Sequence, residues 1–197
     1  MKAYGKIHSR LDISRARAEL ADNLHLFGEF NARAEAGPIH AQMSDIWLRY
    51  GDVSQMTLTG DYSKISDEHD SVWLKDLPEL KRVCFDVMAL VDGERLGGVL
   101  ITKLPPGGEI LPHSDQGWHA DYYDKYFVPL ENENGAVLGF DEGVIMPLIG
   151  DVWAFDNSYT HWVKNNSKSD RIAMVVCIKQ NKYNRAGQQR NKLCLGQ

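Results

Sequence analysis

The sequence predicts a mainly β protein with flanking helices, built on a double-stranded β-helix, or jelly-roll, core. Three observations carry that prediction. From Gly97 onward the chain is a succession of short apolar runs cut by Gly, Pro and Asp turns, which suits antiparallel strands better than a parallel sheet with long crossovers. Ahead of it, two segments repeat apolar residues at helical spacing. With 197 residues, 43% of them hydrophobic, the chain is large enough for one domain with one sizeable core, and nothing suggests a second.

Residues 1–95 read as a helical and loop part packing on that core. Between Ile13 and Phe30, Ala16, Leu20, Leu24 and Leu26 recur among Arg, Glu and Asp, which predicts a helix, and Gly37-Pro38 breaks the chain after it. Ser44 to Tyr50 reads as a strand. The polar stretch from Tyr50 to Trp73 is a loop and a candidate lid. Leu80, Val83, Cys84, Val87, Met88, Leu90 and Val91 then form one apolar stripe, predicting a helix from Leu77 to Val91 that Asp92-Gly93 ends.

Residues 96–180 carry the jelly-roll strands: Val99 to Leu104, Ile110 to Asp115, Tyr126 to Leu130, Ala136 to Phe140, Val144 to Leu148, Asp151 to Phe155 and Arg171 to Ile178. Residues 181–197, with Lys182, Arg185, Arg190 and Lys192 among Asn, Gln and Gly, read as a flexible basic tail; a contact with an acidic partner is the less favoured reading. There is no internal repeat and no Gly-rich phosphate loop.

The chemistry lies in His113, Asp115, His161 and Arg171. Two imidazoles and one carboxylate form the facial triad of a non-haem Fe(II) site, which leaves open positions for a co-substrate and O2. In a strand, residues i and i+2 share a face, so His113 and Asp115 could project together with Ser114 turned away. His161 follows a short apolar strand and a polar loop. Arg171 opens an almost continuous apolar, β-branched run, and a guanidinium there needs an anionic partner. A small dicarboxylate meets the need: one end of 2-oxoglutarate would chelate the metal, and its distal carboxylate would take the fork of donors that arginine offers.

A single His-x-Asp is weak, and His119-Ala120-Asp121 is a second copy in this chain. The first copy is preferred because it follows a Gly turn and an apolar strand. His119 and Trp118 are expected instead at the mouth, against substrate. Arg49, on the strand ending at Tyr50, is a candidate for a substrate carboxylate, and Thr102, Lys125 and Tyr126 are candidates for further contacts to the co-substrate. His8, His25, His40 and His69 have no partners at ligand spacing and receive no role. Trp47, Trp153 and Trp162 are read as core, and Asn165 as shaping the loop after His161.

The order His-x-Asp, then Phe-Asp-Asn-Ser-x-x-His-x-x-x-Asn over residues 155–165, then Arg171 ten residues after His161, resembles the aspartyl/asparaginyl β-hydroxylase group of Fe(II)/2-oxoglutarate dioxygenases. The resemblance covers roughly residues 95–179, with a weaker echo at Asp45-Ile46-Trp47-Leu48-Arg49. It implies that His113, Asp115 and His161 hold iron and that Arg171 holds the co-substrate. Two features depart from the group. Its Arg-x-His pair ahead of a Pro-Leu step is replaced here, since Lys125-Tyr126-Phe127-Val128-Pro129-Leu130 keeps only the Pro-Leu. Asp115 also supplies a carboxylate ligand that some members lack, which favours hydroxylation over halogenation. The expected reaction consumes Fe(II)-bound 2-oxoglutarate and O2, releases succinate and CO2, and hydroxylates an amino acid, a protein Asp/Asn-type side chain or another small substrate.

Other classes fit less well. The same ligands in a cupin-like roll could hold a redox-silent metal for hydrolysis or isomerisation, or the chain could be a non-catalytic binding module. A net charge of −5 disfavours capture of nucleic acid. No run of about 18 apolar residues suits a membrane helix, and Met1 to Lys6 lacks the apolar stretch of a secretory signal. Cys84, Cys177 and Cys194 are odd in number and widely spaced, which points to reduced thiols and a cytoplasmic setting. The sequence sets no oligomeric state.

Overall fold

The computed structural model describes residues 3–51 and 71–180. The candidate lid, apart from its two ends, lies outside the described residues, as do His69 and the 181–197 tail with Cys194. In chain order the strands are β1 (Tyr4–His8), β2 (Ser44–Tyr50), β3 (Val72–Trp73), β4 (Gly93–Leu104), β5 (Glu109–His113), β6 (Asp124–Glu131), β7 (Ala136–Phe140), β8 (Gly143–Ile145), β9 (Val152–Phe155), β10 (His161–Asn165) and β11 (Arg171–Gln180). The α-helices are α1 (Ser14–Asp22), α2 (Ala32–Glu35), α3 (Pro78–Leu90) and α4 (Trp118–Tyr122).

Two antiparallel sheets face each other. One has seven strands in the order β1-β9-β6-β11-β4-β2-β3, the other four in the order β5-β10-β7-β8. The interleaving of strands distant in sequence is the jelly-roll pattern. β11 is central and shows how one strand serves two layers. Ile172, Met174, Val176 and Ile178 point to the helices and join Leu80, Val83, Cys84 and Val87 of α3 and Ala16 and Leu20 of α1 in the larger core. Arg171, Ala173, Val175 and Cys177 point the other way, into the space between the sheets. Each fully buried aliphatic side chain contributes about 1.5–3 kcal/mol, so this doubly covered strand anchors the molecule.

Of the stripe expected on α3, Leu80, Val83, Cys84 and Val87 are buried while Leu90 is exposed, and α3 is tied to α1 at its first turn, where Glu19 accepts the backbone N–H groups of Glu79 (3.2 Å) and Leu80 (2.8 Å). The helix expected from Ile13 to Phe30 stops earlier. The Asn23 side chain donates to the Glu19 carbonyl (2.8 Å), and the chain turns through a 3-10 segment, Leu24–Leu26, to Gly28 at φ +87°. The part ahead of residue 96 also contributes β1, β2 and β3 to the seven-stranded sheet. β1 carried no hydrophobic signal because Gly5 to His8 of this edge strand are exposed. β10 was expected as a loop leading to His161; it is a strand, paired with β5 and β7. Pro112 sits in β5, which is an edge, so its missing N–H removes no ladder bond from the sheet interior.

Candidate active site

A cavity of about 640 Å3 opens between the sheets, and His113, Asp115, His161 and Arg171 all line it. Its inner wall is apolar, with Ile110, Phe127, Leu138, Val163 and Val175 among the lining residues.

His113 ends β5 and His161 begins β10, and the two are direct cross-strand partners with ring centroids 4.4 Å apart. Each Nδ1 lies against a backbone carbonyl, His113 on Leu111 (2.8 Å) and His161 on Tyr159 (3.0 Å). A carbonyl can only accept, so Nδ1 carries the proton in both rings and Nε2 presents its lone pair to the cavity. Asp115 lies just beyond the end of β5 rather than in it. Its backbone N–H donates to the Asn157 carbonyl (2.9 Å), which fixes it beside His113 in place of the expected strand alternation.

The two oxygens of Asp115 have different surroundings. Oδ2 accepts a short hydrogen bond from the Lys125 ammonium and another from the Asn157 amide (3.3 Å). Oδ1 faces His113 Nε2 at 3.6 Å. Burial pushes the carboxyl up, but Lys125 and the two histidines outweigh it and hold the pKa at about 2. Ligand atoms of His113, Asp115 and His161 all lie within 4.8 Å of one another, the one such cluster found among the described residues. Two imidazoles, each with Nδ1 turned to a backbone carbonyl, and one carboxylate oxygen suit a divalent first-row metal. The competing pair, His119 and Asp121, lies on α4; His119 lines the cavity while Asp121 is exposed.

Arg171 is only 5% exposed, and its Nε has no hydrogen-bond partner. Burial alone draws its pKa down to about 10, so it stays charged at neutral pH. A buried guanidinium without an anion is costly, and none of the described residues supplies one. Thr102 stands on β4 opposite Ala173, diagonal to Arg171 on the same cavity face. Thr102 also pairs with Asp45 across β2 and β4; burial raises the Asp45 pKa, and Arg33 and Thr102 counter it.

Lys125 lines the cavity as expected, with Asp115 as its partner. Tyr126, expected there too, is on the opposite face of β6 and packs in the helix-facing core with Val128 and Leu130. Arg49 also departs from expectation. Asp45 and Trp47 face inward on β2, so alternation would bring Arg49 inward next, but the β2–β4 register shifts between Trp47 and Arg49. Tyr50 then lines the cavity, while Arg49 bonds the carbonyls of Leu96 (2.9 Å) and Gly97 (2.7 Å). Trp118 is the first residue of α4. Trp47, expected as core, is buried yet also forms cavity wall.

Among the cavity residues that carried no sequence signal are Arg33, His40 and Tyr50. His40, which received no role, packs edge-on against His113 with centroids 4.9 Å apart. Burial, then Arg33, lowers its pKa to about 3. Tyr50 stacks on His119 at 5.8 Å, and burial lowers the His119 pKa to about 4. Gly98 makes that stack possible, since a Cβ there would lie 2.7 Å from the Tyr50 ring and 3.5 Å from His119 Nε2.

The sequence of residues 39–181 matches the family model described as aspartyl/asparaginyl beta-hydroxylase. The chain belongs to this family. It is therefore a hydroxylase of the 2-oxoglutarate-dependent kind, and His113, Asp115 and His161 form a group that could hold a metal ion. No curated protein matches the sequence. Among solved structures the fold is similar to a prolyl hydroxylase from Trichoplax adhaerens in complex with a hypoxia inducible factor peptide (TM-score 0.59, 14% identity, 93% of this chain and 86% of that one). It is similar also to a Pseudomonas putida prolyl-4-hydroxylase (TM-score 0.54, 12% identity, 91% and 93%). A third is the collagen prolyl hydroxylase of Paramecium bursaria Chlorella virus-1 with 2-oxoglutarate (TM-score 0.51, 14% identity, 92% and 97%). These likenesses establish the jelly-roll fold of the hydroxylase. Among its described residues no helix is long and apolar enough to cross a membrane.

Proposed function

We propose that this hydroxylase inserts one oxygen atom of O2 into an unactivated C–H bond of an amino acid, a protein Asp/Asn-type side chain or another small substrate, the second atom going to succinate as 2-oxoglutarate loses CO2. The observation that carries the reading is the pairing, in one cavity, of the His113/Asp115/His161 donor set with a buried Arg171 that has no anion among the described residues.

In this reading His113 Nε2, His161 Nε2 and Asp115 Oδ1 hold Fe(II), with both imidazoles locked in the ligating tautomer by the Leu111 and Tyr159 carbonyls. Lys125 and Asn157 occupy Asp115 Oδ2, so the carboxylate offers one oxygen and a neighbouring position stays open. Arg171 binds the distal carboxylate of 2-oxoglutarate by charge-assisted hydrogen bonds. Thr102 and Lys125 stand close enough in the wall to add contacts. When bound, Fe(II) and 2-oxoglutarate would supply electrons to activate O2, the oxidant; the chain supplies position and a dry wall. Ile110, Phe127, Leu138 and Val175 exclude water around the reacting end. His119 and the residues around it at the mouth are left to receive substrate.

The test is product analysis. Protein loaded with Fe(II) is incubated with labelled 2-oxoglutarate and a panel of amino acids and Asp/Asn-containing peptides, aerobically and anaerobically. The reading expects O2-dependent succinate, together with one added oxygen atom in a panel member, both lost in His161→Ala. Metal-dependent turnover that persists without O2 would contradict it.

A further inference from the structure

Resting on the hydroxylase reading above, we infer that Arg33 is the substrate anchor of this cavity, and that it binds a carboxylate carried by an amino-acid-sized or peptide-terminal substrate. Arg33 lies on α2 and lines the cavity wall, with its side chain 25% exposed. It precedes residue 39, where the match to the family model begins.

The charges of the cavity single it out. Among the described residues, Arg33, Lys125 and Arg171 line it against one carboxylate, Asp115. Lys125 is matched by Asp115, and Arg171 is matched by the co-substrate. Arg33 is held by Asp45 through Nη1 alone, at 3.2 Å. Asp45 is only 4% exposed and is not among the residues lining the cavity, so its single bond orients the guanidinium of a cavity-lining Arg33 and leaves the other donors unengaged by it. Arginine presents five N–H groups, and one bond to Asp45 leaves enough for a two-point contact with a carboxylate.

The neighbours define the rest of the subsite. Arg33 acts electrostatically on His40, and His40 packs on His113, so the guanidinium sits on the metal side of the mouth. Trp47, Tyr50 and His119 form a continuous aromatic wall, with Trp47 edge-on to Tyr50 at 4.8 Å and Tyr50 stacked on His119. A substrate with a carboxylate on Arg33 and an apolar or planar body against that wall would hold its C–H between them, next to His113. A neutral substrate of the same shape would leave Arg33 facing the ligand with donors unmatched, which is the kind of mismatch that gives strong discrimination.

The experiment uses the whole protein with Fe(II) and 2-oxoglutarate under nitrogen, titrated with three sets of probes. These are free amino acids against their amides, peptides ending in a free carboxylate against amidated ones, and amidated peptides with an internal aspartate against asparagine. Binding is read as a perturbation of the visible charge-transfer band. At least one acid should bind about tenfold or more tightly than its amide, and the set it comes from names the source of the carboxylate. Arg33→Met should remove that preference, weakening the acid about tenfold while leaving the amide and the unperturbed band unchanged. Arg33→Lys, which keeps a charge beside Asp45, guards against misfolding and should retain part of the preference. Equal binding of acid and amide, an unaffected acid in Arg33→Met, or no carboxylate probe that binds would each overturn the anchor. Absence of the band in wild type would count against the co-substrate reading; the same acid and amide comparison by calorimetry on metal-free protein then decides Arg33 separately.

Discussion

Lys125 donates to the Oδ2 atom of Asp115, the atom turned away from His113, and Asn157 donates to the same oxygen. The pair makes the carboxylate a one-oxygen ligand and sets an ammonium close to the metal position. Replacing Lys125 by Met removes a repelling charge and releases Oδ2. Manganese(II) binding by isothermal titration is expected to be at least as tight as in wild type, whereas 2-oxoglutarate binding to the metal-loaded protein should weaken about tenfold. Loss of metal binding in K125M would mean that Lys125 builds the ligand set instead of restraining it.

Gly98 gives a test of the aromatic wall. A Cβ at this position would stand 2.7 Å from the Tyr50 ring, nearer than packed atoms approach, so the ring must move or β4 must shift. Gly98→Ala is expected to destabilise by about 1–3 kcal/mol, the usual range for overpacking. Urea denaturation measures that loss. Substrate KM should rise while 2-oxoglutarate binding stays near wild type, because Arg171 and Thr102 lie elsewhere on the wall.

His119 and His40 set an acid limit on stability. Burial is the leading cause in both, lowering His119 to about 4 and His40 to about 3 from an ordinary 6.5. Both folded-state values are depressed, so the unfolded chain binds more protons in the window between about 6.5 and 4. Their stabilising contribution is complete above pH 6.5 and is lost as the pH falls through that window. The urea midpoint of metal-free protein should therefore drop from pH 7 to pH 4.5, and His119→Phe should flatten part of the slope. An identical slope in the variant would show that His119 does not carry it.

Arg49 separates a structural from a substrate role. Its guanidinium bonds two backbone carbonyls, Leu96 and Gly97, and lies 5.7 Å from the Trp73 ring. Arg49→Met is expected to lower stability by about 1–3 kcal/mol through the carbonyls left unpaired, with substrate KM unchanged. A selective rise in KM would return Arg49 to the site.

Much of the site was legible because it is written in local patterns. His113 and Asp115 follow a Gly turn and an apolar strand, and Arg171 opens the most apolar run of the chain. The strands and turns that carry these residues were legible because burial in a strand leaves a strong composition signal. The face of a strand proved harder. Arg49 and Tyr126 were assigned by strand alternation or proximity, and a register shift on β2 and the opposite face of β6 moved both out of the cavity. Arg33 and His40 were invisible for another reason: short segments before β2 bring them to the mouth, and nothing in their spacing records a long-range approach. Asp115 lies beside His113 for a reason the spacing does not record, since Asn157, not strand alternation, fixes it there.

The most direct test of the central claim is anaerobic titration of the apoprotein with Fe(II) and 2-oxoglutarate, followed by visible absorption, with Arg171→Ala and Asp115→Ala alongside. The account predicts a metal-to-ligand charge-transfer band in wild type, the same band at roughly tenfold or more higher 2-oxoglutarate in R171A, and a weakened or absent band in D115A. Bound metal without a band, or a band whose 2-oxoglutarate dependence is unchanged in R171A, would contradict the site proposed between His113, Asp115, His161 and Arg171.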